Sequence, residues 1–143
     1  MRKEYRNARV VTEPIAAATV SRRTQADVVS RARLARRAPS ALPADRRKVL
    51  ALMPVHVAAQ PTPGTYRAEL EAECKTRIMA IGRERGATVI DWRIASPPTT
   101  ENKNYWDRLH YRVPVATQVA DQLAGAVLEG RQSDDGTYVI LAP

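Results

Sequence analysis

Apolar positions change period along this chain, and the changes mark out its elements. Val49-Leu50-Ala51-Leu52-Met53-Pro54-Val55 is a short continuous apolar run, the pattern of a strand buried on both faces of a parallel sheet. Pro54 belongs near its end, where a ladder donor is dispensable. From Tyr66 the period lengthens: Tyr66, Leu70, Cys74, Ile78 and Ile81 recur at threes and fours, predicting a helix to Arg85. Glu71/Lys75 and Glu73/Arg77 fall on its exposed face, Thr65 is placed to cap it and Gly86 to end it. Thr88-Val89-Ile90-Asp91-Trp92 then reads as a second strand, which makes a βαβ unit with two parallel strands and a right-handed crossover. Past a polar loop from Ser96 to Asn104, Pro114 opens a last helix with Val115, Val119, Leu123 and Val127 on one face before Gly130. Thr137 to Leu141 is expected to add a terminal edge strand behind a turn at Asp135-Gly136.

The first third is patterned differently. Arg2 to Val20 reads as irregular or as a short strand around Ala8-Arg9-Val10-Val11, interrupted at Pro14. A helix follows from Ser21 or Thr24 to Arg37, with Thr24 and Asp27 in a capping-box relation and Val28, Val29, Ala32 and Ala35 as its stripe. Pro39 and Pro43 end it. The expected organisation is thus a basic segment over residues 1–46, a βαβα unit over 47–130 and a tail or edge strand over 131–143.

Charge sharpens that division. Residues 1–48 carry 13 Lys and Arg against 4 Asp and Glu, whereas residues 49–143 carry 10 against 11, so the whole formal excess of +8 sits in the first part. Such a segment suits an anionic partner. Without interleaved aromatics beyond Tyr5, a Gly-rich stretch or a nucleic-acid fold signature, nucleic acid is not the expected partner. The single cysteine, Cys74, cannot form an internal disulfide and reads as a small buried hydrophobe on a helix face. No run approaches the ~20 apolar residues of a membrane span, and Met1-Arg2-Lys3-Glu4 leads into polar sequence, so a soluble chain without an export address, cytoplasmic as it stands, is expected.

Candidate chemistry follows from topology. Ligands of open parallel sheets bind at the carboxyl ends of the strands. That rule selects the loop after the first strand, with His56 and Gln60, and the loop after the second, with Ser96, Asn102, Asn104, Asp107 and His110. Within Asn104-Tyr105-Trp106-Asp107-Arg108-Leu109-His110-Tyr111-Arg112, Asp107 and His110 have the spacing of a carboxylate that orients an imidazole as general base.

Val89-Ile90-Asp91-Trp92, the polar loop, Tyr105-Trp106-Asp107-Arg108-Leu109-His110 and the C-terminal helix together resemble the closing third of SGNH (GDSL-like) hydrolases, over about residues 47–130. In that family the last parallel strand leads into an Asp-x-x-His block that completes a Ser-His-Asp triad. The resemblance implies a partial three-layer α/β/α domain, flavodoxin-like or SGNH-like, with a short parallel sheet and a C-terminal helix. It implies an esterase, acyl hydrolase or O-acyltransferase acting on an ester-bearing small molecule or glycan, with His110 as general base, Asp107 as its orienting partner, and no cofactor or metal. The family's Gly-Asp-Ser nucleophile and its Gly and Asn oxyanion donors have no counterpart here: Ser21, Ser30, Ser40, Ser96 and Ser133 all lack flanking Gly-Asp. The chain is therefore expected to carry the Asp-x-x-His half of the triad alone, as a truncated homologue with little or no activity by itself.

Other readings of the same residues stand beside this one. Asp107 and His110 also suit a local loop hydrogen-bond pair. Asp91 suits an ion pair with Arg93 or Arg112; His56, Asp107 and His110 have the residue types of a metal site; Ser96 is an alternative nucleophile; Trp92, Trp106 and Tyr111 suit packing. A rival class is a non-catalytic assembly module whose Arg22, Arg23, Arg31, Arg33, Arg36 and Arg37 contact an anionic partner or a second subunit. An apolar edge at Val49 to Val55 would favour a homo-oligomer.

Overall fold

The computed structural model describes residues 46–143. The strand and helix expected before Arg37, with the arginines they carry, lie outside the described residues.

Lys48–Leu52 forms β1, Tyr66–Arg85 forms α1 and Ala87–Asp91 forms β2. A four-residue helix, α2, spans Pro97–Thr100, a longer helix, α3, spans Val113–Leu128, and Val139–Ala142 closes the chain as β3. Single 3-10 turns lie at Val57–Ala59 and Asn102–Asn104, the second inside the segment expected to be loop. The sheet order is β1-β2-β3: β1 and β2 run parallel from Lys48 beside Ala87 to Leu52 beside Asp91, and β3 runs antiparallel to β2. The protein is a small α/β fold on a mixed sheet.

Local chemistry sets the element ends. The β1 ladder ends where Trp92 N–H donates to Leu52 O at 2.9 Å, two residues before Pro54, which has no N–H to continue it. α1 begins where Thr65 Oγ1 accepts from Ala68 N–H at 3.3 Å and ends at Gly86, whose φ of +58° a residue with a side chain rarely adopts. β3 starts two residues later than expected because Thr137 N–H is held by Ser133 Oγ and Asp135 Oδ1, and Tyr138 Oη donates to Arg131 O.

Successive β2 residues enter separate apolar clusters. Val89 packs with Leu52 and Ala142, with Ile78 and Met79 of α1 against them; Ile90 packs with Trp92, Tyr138 and Val115, Val119 and Ala126 of α3. Alternation of side chains across a strand produces this division, and full burial of a side chain such as Val89 or Ile90 contributes about 1.5–3 kcal/mol. β2, between two neighbours, is the buried strand. β1 is not buried on both faces: only Leu52 is buried and the rest is half-buried or exposed, because it is an edge strand among the described residues. Tyr66 and Leu123, expected on core stripes, are exposed, and Cys74 is half-buried.

Gly82 allows α1 to lie close to the sheet. A Cβ there would collide with Val89 Cγ2 and stand 2.9 Å from Ala87 O.

Candidate active site

The chain between β2 and α3 turns back on itself just before α3. Trp106 N–H donates to His110 O and Arg112 N–H to Asn104 O, each at 2.8 Å, and Tyr105 bridges Tyr111 in antiparallel fashion. Arg112 reinforces the base of the turn: Nε donates to Tyr105 O at 3.1 Å and Cζ lies 4.0 Å from the centroid of the Trp106 ring. Asp107 to Leu109 therefore form the tip of a narrow loop closed by its own backbone.

At that tip Asp107 Oδ1 accepts from Leu109 N–H at 2.8 Å and from His110 N–H at 2.9 Å, while Oδ2 lies 2.7 Å from His110 Nδ1. One carboxylate thus folds the turn and orients the imidazole. These donors hold the Asp107 carboxyl below the usual carboxylate range, the Leu109 N–H most of all, then the His110 ring, then the His110 N–H. The expected local pair is present. Its side chains stay open to solvent, His110 72% and Asp107 57% exposed, as an accessible acid/base group requires. A neutral imidazole bonded this way carries its proton on Nδ1 and has its lone pair at Nε2.

The two loops selected by topology meet. His56 N–H donates to Arg108 O at 2.9 Å, tying the segment after β1 to the tip after β2. Gln60 Nε2 donates to Val55 O at 3.0 Å and to Ile94 O at 3.2 Å, and Asn104 Nδ2 donates to Pro98 O at 3.0 Å. Gln60 and Asn104 hold backbone in place; Asn102 begins a 3-10 turn and is exposed.

Of the other readings, those of His56, Ser96 and Asp91 are corrected, while Trp92 and Tyr111 pack as expected. His56 does not join Asp107 and His110 as a ligand: its Nδ1 accepts from Ala58 N–H at 3.1 Å, and the described residues hold no group of three or more His, Cys, Asp or Glu able to bind a metal ion. Ser96 is buried at the start of α2, where its N–H donates to Thr99 Oγ1 at 2.9 Å and its hydroxyl lies 3.2 Å from the same atom, so it serves a cap. Asp91 pairs with neither guanidinium. Its Oδ2 lies 2.7 Å from Lys75 Nζ and its Oδ1 accepts from Arg93 N–H at 2.8 Å. Trp92 packs in the α3 cluster and donates to Gln122 Oε1 at 2.9 Å; Tyr111 packs against that cluster; Trp106 is exposed beneath Arg112.

Two roles were missed, those of Lys75 and Tyr105. Lys75 was read only as the surface partner of Glu71, 3.4 Å away. The sequence showed that the β2 carboxylate needed a cation but not that Lys75 would be the one, 2.7 Å away. Tyr105, fully buried with an unpartnered hydroxyl, ionises only at about 12, pushed up by burial and then by Tyr111. Its place ahead of Asp107 gave no such sign. Away from the tip, a cavity of about 300 Å³ is lined by Asp121, Gln122, Arg131, Asp134 and Tyr138 among others.

No family model, curated protein or solved structure matches the chain. No helix among the described residues is long and apolar enough to cross a membrane.

Proposed function

We propose that this chain is the closing part of an SGNH-type serine esterase, acyl hydrolase or O-acyltransferase, with His110 as general base and Asp107 as the carboxylate that orients it. The observation that carries the reading is the 2.7 Å contact of Asp107 Oδ2 with an exposed His110, on a loop that follows a parallel strand and precedes a helix. Separate clusters for Val89 with α1 and Ile90 with α3 support a three-layer, flavodoxin-like arrangement of which this is one end.

In the reaction, a serine hydroxyl attacks the carbonyl carbon of an ester as its proton passes to Nε2 of His110. The proton then goes to the departing alkoxide oxygen, and the acyl-serine is released by water or an acceptor hydroxyl deprotonated at the same nitrogen. Asp107 holds the tautomer and stabilises the imidazolium throughout. Neither described serine serves: Ser96 is in its cap, and Ser133 Oγ donates to Asp135 Oδ1 at 2.5 Å. The reading therefore assigns the nucleophile and the oxyanion donors to residues outside 46–143.

Purified 1–143 is expected to hydrolyse p-nitrophenyl acetate at the uncatalysed rate. Joined to the Ser-, Gly- and Asn-bearing half of an SGNH esterase in a soluble assembly, it is expected to hydrolyse the ester, with a loss of about 10²–10⁴-fold in His110→Ala. A folded, active assembly indifferent to His110→Ala refutes the reading.

A further inference from the structure

His56 is the other histidine of the chain, and its surroundings are the opposite of those of His110. It is 2% exposed. Its ring meets that of Tyr105 edge to face, with centroids 5.3 Å apart and planes at 82°. Because Nδ1 accepts from Ala58 N–H, the neutral ring carries its proton on Nε2, and Nε2 is buried with no hydrogen-bond partner. An aliphatic or phenyl side chain would fill such a position without an orphaned donor, so the space is not the whole reason for an imidazole.

The backbone supplies the rest. The N–H of His56 donates to Arg108 O, the carbonyl between Asp107 and Leu109 at the tip. Its direction depends on the conformation of His56, which caps the 3-10 turn at Val57–Ala59 twice, its Nδ1 accepting from Ala58 N–H and its carbonyl accepting from Ala59 N–H at 2.8 Å. Ring and backbone thus reach the loop at two places, the ring at Tyr105 where the turn begins and the N–H at Arg108 within it. The base of the loop is held by Arg112, by the Tyr105–Tyr111 bridge and by its own backbone bonds, whereas the His56 N–H reaches the tip itself, at Arg108 O.

We propose that His56 is the positioning residue of the Asp107–His110 pair, holding the 105–112 loop so that Asp107 Oδ2 meets His110 Nδ1. The proposal rests on the functional reading given above and extends it to a residue that touches neither member of the pair through its side chain.

The readout is the imidazole tautomer of His110, from its two ¹⁵N shifts at a pH where the ring is neutral; with two histidines in the chain, the resonances are assigned by difference. Unaltered 1–143 is expected to hold His110 as the Nδ1–H form and Asp107→Ala to release it. His56→Ala is expected to move the tautomer ratio at least halfway to the Asp107→Ala value while circular dichroism retains the helical signal. His56→Asn, which can still accept from Ala58 N–H, is expected to fall between. A folded His56→Ala with the unaltered ratio overturns the proposal and leaves the pair intact; no response to Asp107→Ala overturns the pair itself, and the proposal with it. Amide exchange of the unaltered protein supplies a check that needs no variant: the His56 N–H is expected to be slowed about tenfold or more relative to an unstructured chain. Unprotected exchange there overturns the proposal.

Discussion

Asp107 takes its hydrogen bonds from residues two and three positions ahead, so the donors that set its acidity all lie within the loop. The depressed carboxyl pKa stabilises the folded turn above the pKa of the unfolded chain, and that contribution is lost as pH falls through the lower folded value. Because the Leu109 N–H is the largest cause, His110→Ala is expected to raise the Asp107 pKa only part of the way to its ordinary value, as followed by the carboxyl ¹³C shift. Complete recovery would give the imidazole the leading part. Lys75 and Asp91 make the contrasting case, a carboxylate buried in β2 and paired with an amine from a helix. Lys75→Ala is expected to destabilise the fold by about 3 kcal/mol in denaturant unfolding, since the carboxylate stays behind without its cation. A loss under 1 kcal/mol would show that Asp91 is satisfied by Arg93 N–H. The Asp107–His110 pair was legible because an i, i+3 contact is local. The Lys75–Asp91 pair depends on how α1 is rotated against the sheet, which no local pattern states.

Helix α1 contains a glycine where alanine would raise helix propensity by up to about 1 kcal/mol. Gly82 nevertheless faces Val89 Cγ2 and Ala87 O too closely for a Cβ, and Gly82→Ala is expected to destabilise the protein by about 1–3 kcal/mol in thermal or denaturant unfolding. An unchanged or raised midpoint would mean that α1 can shift off β2 without penalty. α3 shows why its stripe was misread. Steps of four residues advance about 40° around a helix, so Val115, Val119, Leu123 and Val127 drift off one face, and a step of three is needed to return. The buried face runs through Val115, Val119 and Ala126, with half-buried Gln122 between them meeting the indole N–H of Trp92. The alternation of hydrophobic periods located α1, β2 and α3 to within about a residue or two. It misjudged the burial of β1, because a continuous apolar run looks the same in a central strand and an edge strand.

Across the described part of the molecule, the parallel β1-β2 pair brings the loops of His56 and His110 together, as the carboxyl-end rule anticipated. The mixed character of the sheet was less legible, since the sequence of β3 does not encode its direction. The net basic excess lies within residues 1–48, so it belongs to a different part of the chain from the Asp107–His110 loop. The proposed reading divides the chemistry in the same way, with His110 as base and neither described serine as nucleophile, Ser96 being held in its cap and Ser133 by Asp135. The central claim is that Asp107 holds His110 ready as a base, and the tautomer of the neutral His110 ring tests it most directly. ¹⁵N shifts showing the proton on Nδ1, with Nε2 unprotonated, are the expected result. A ring protonated mainly on Nε2 would contradict the account, because that nitrogen could not then accept a proton from any nucleophile.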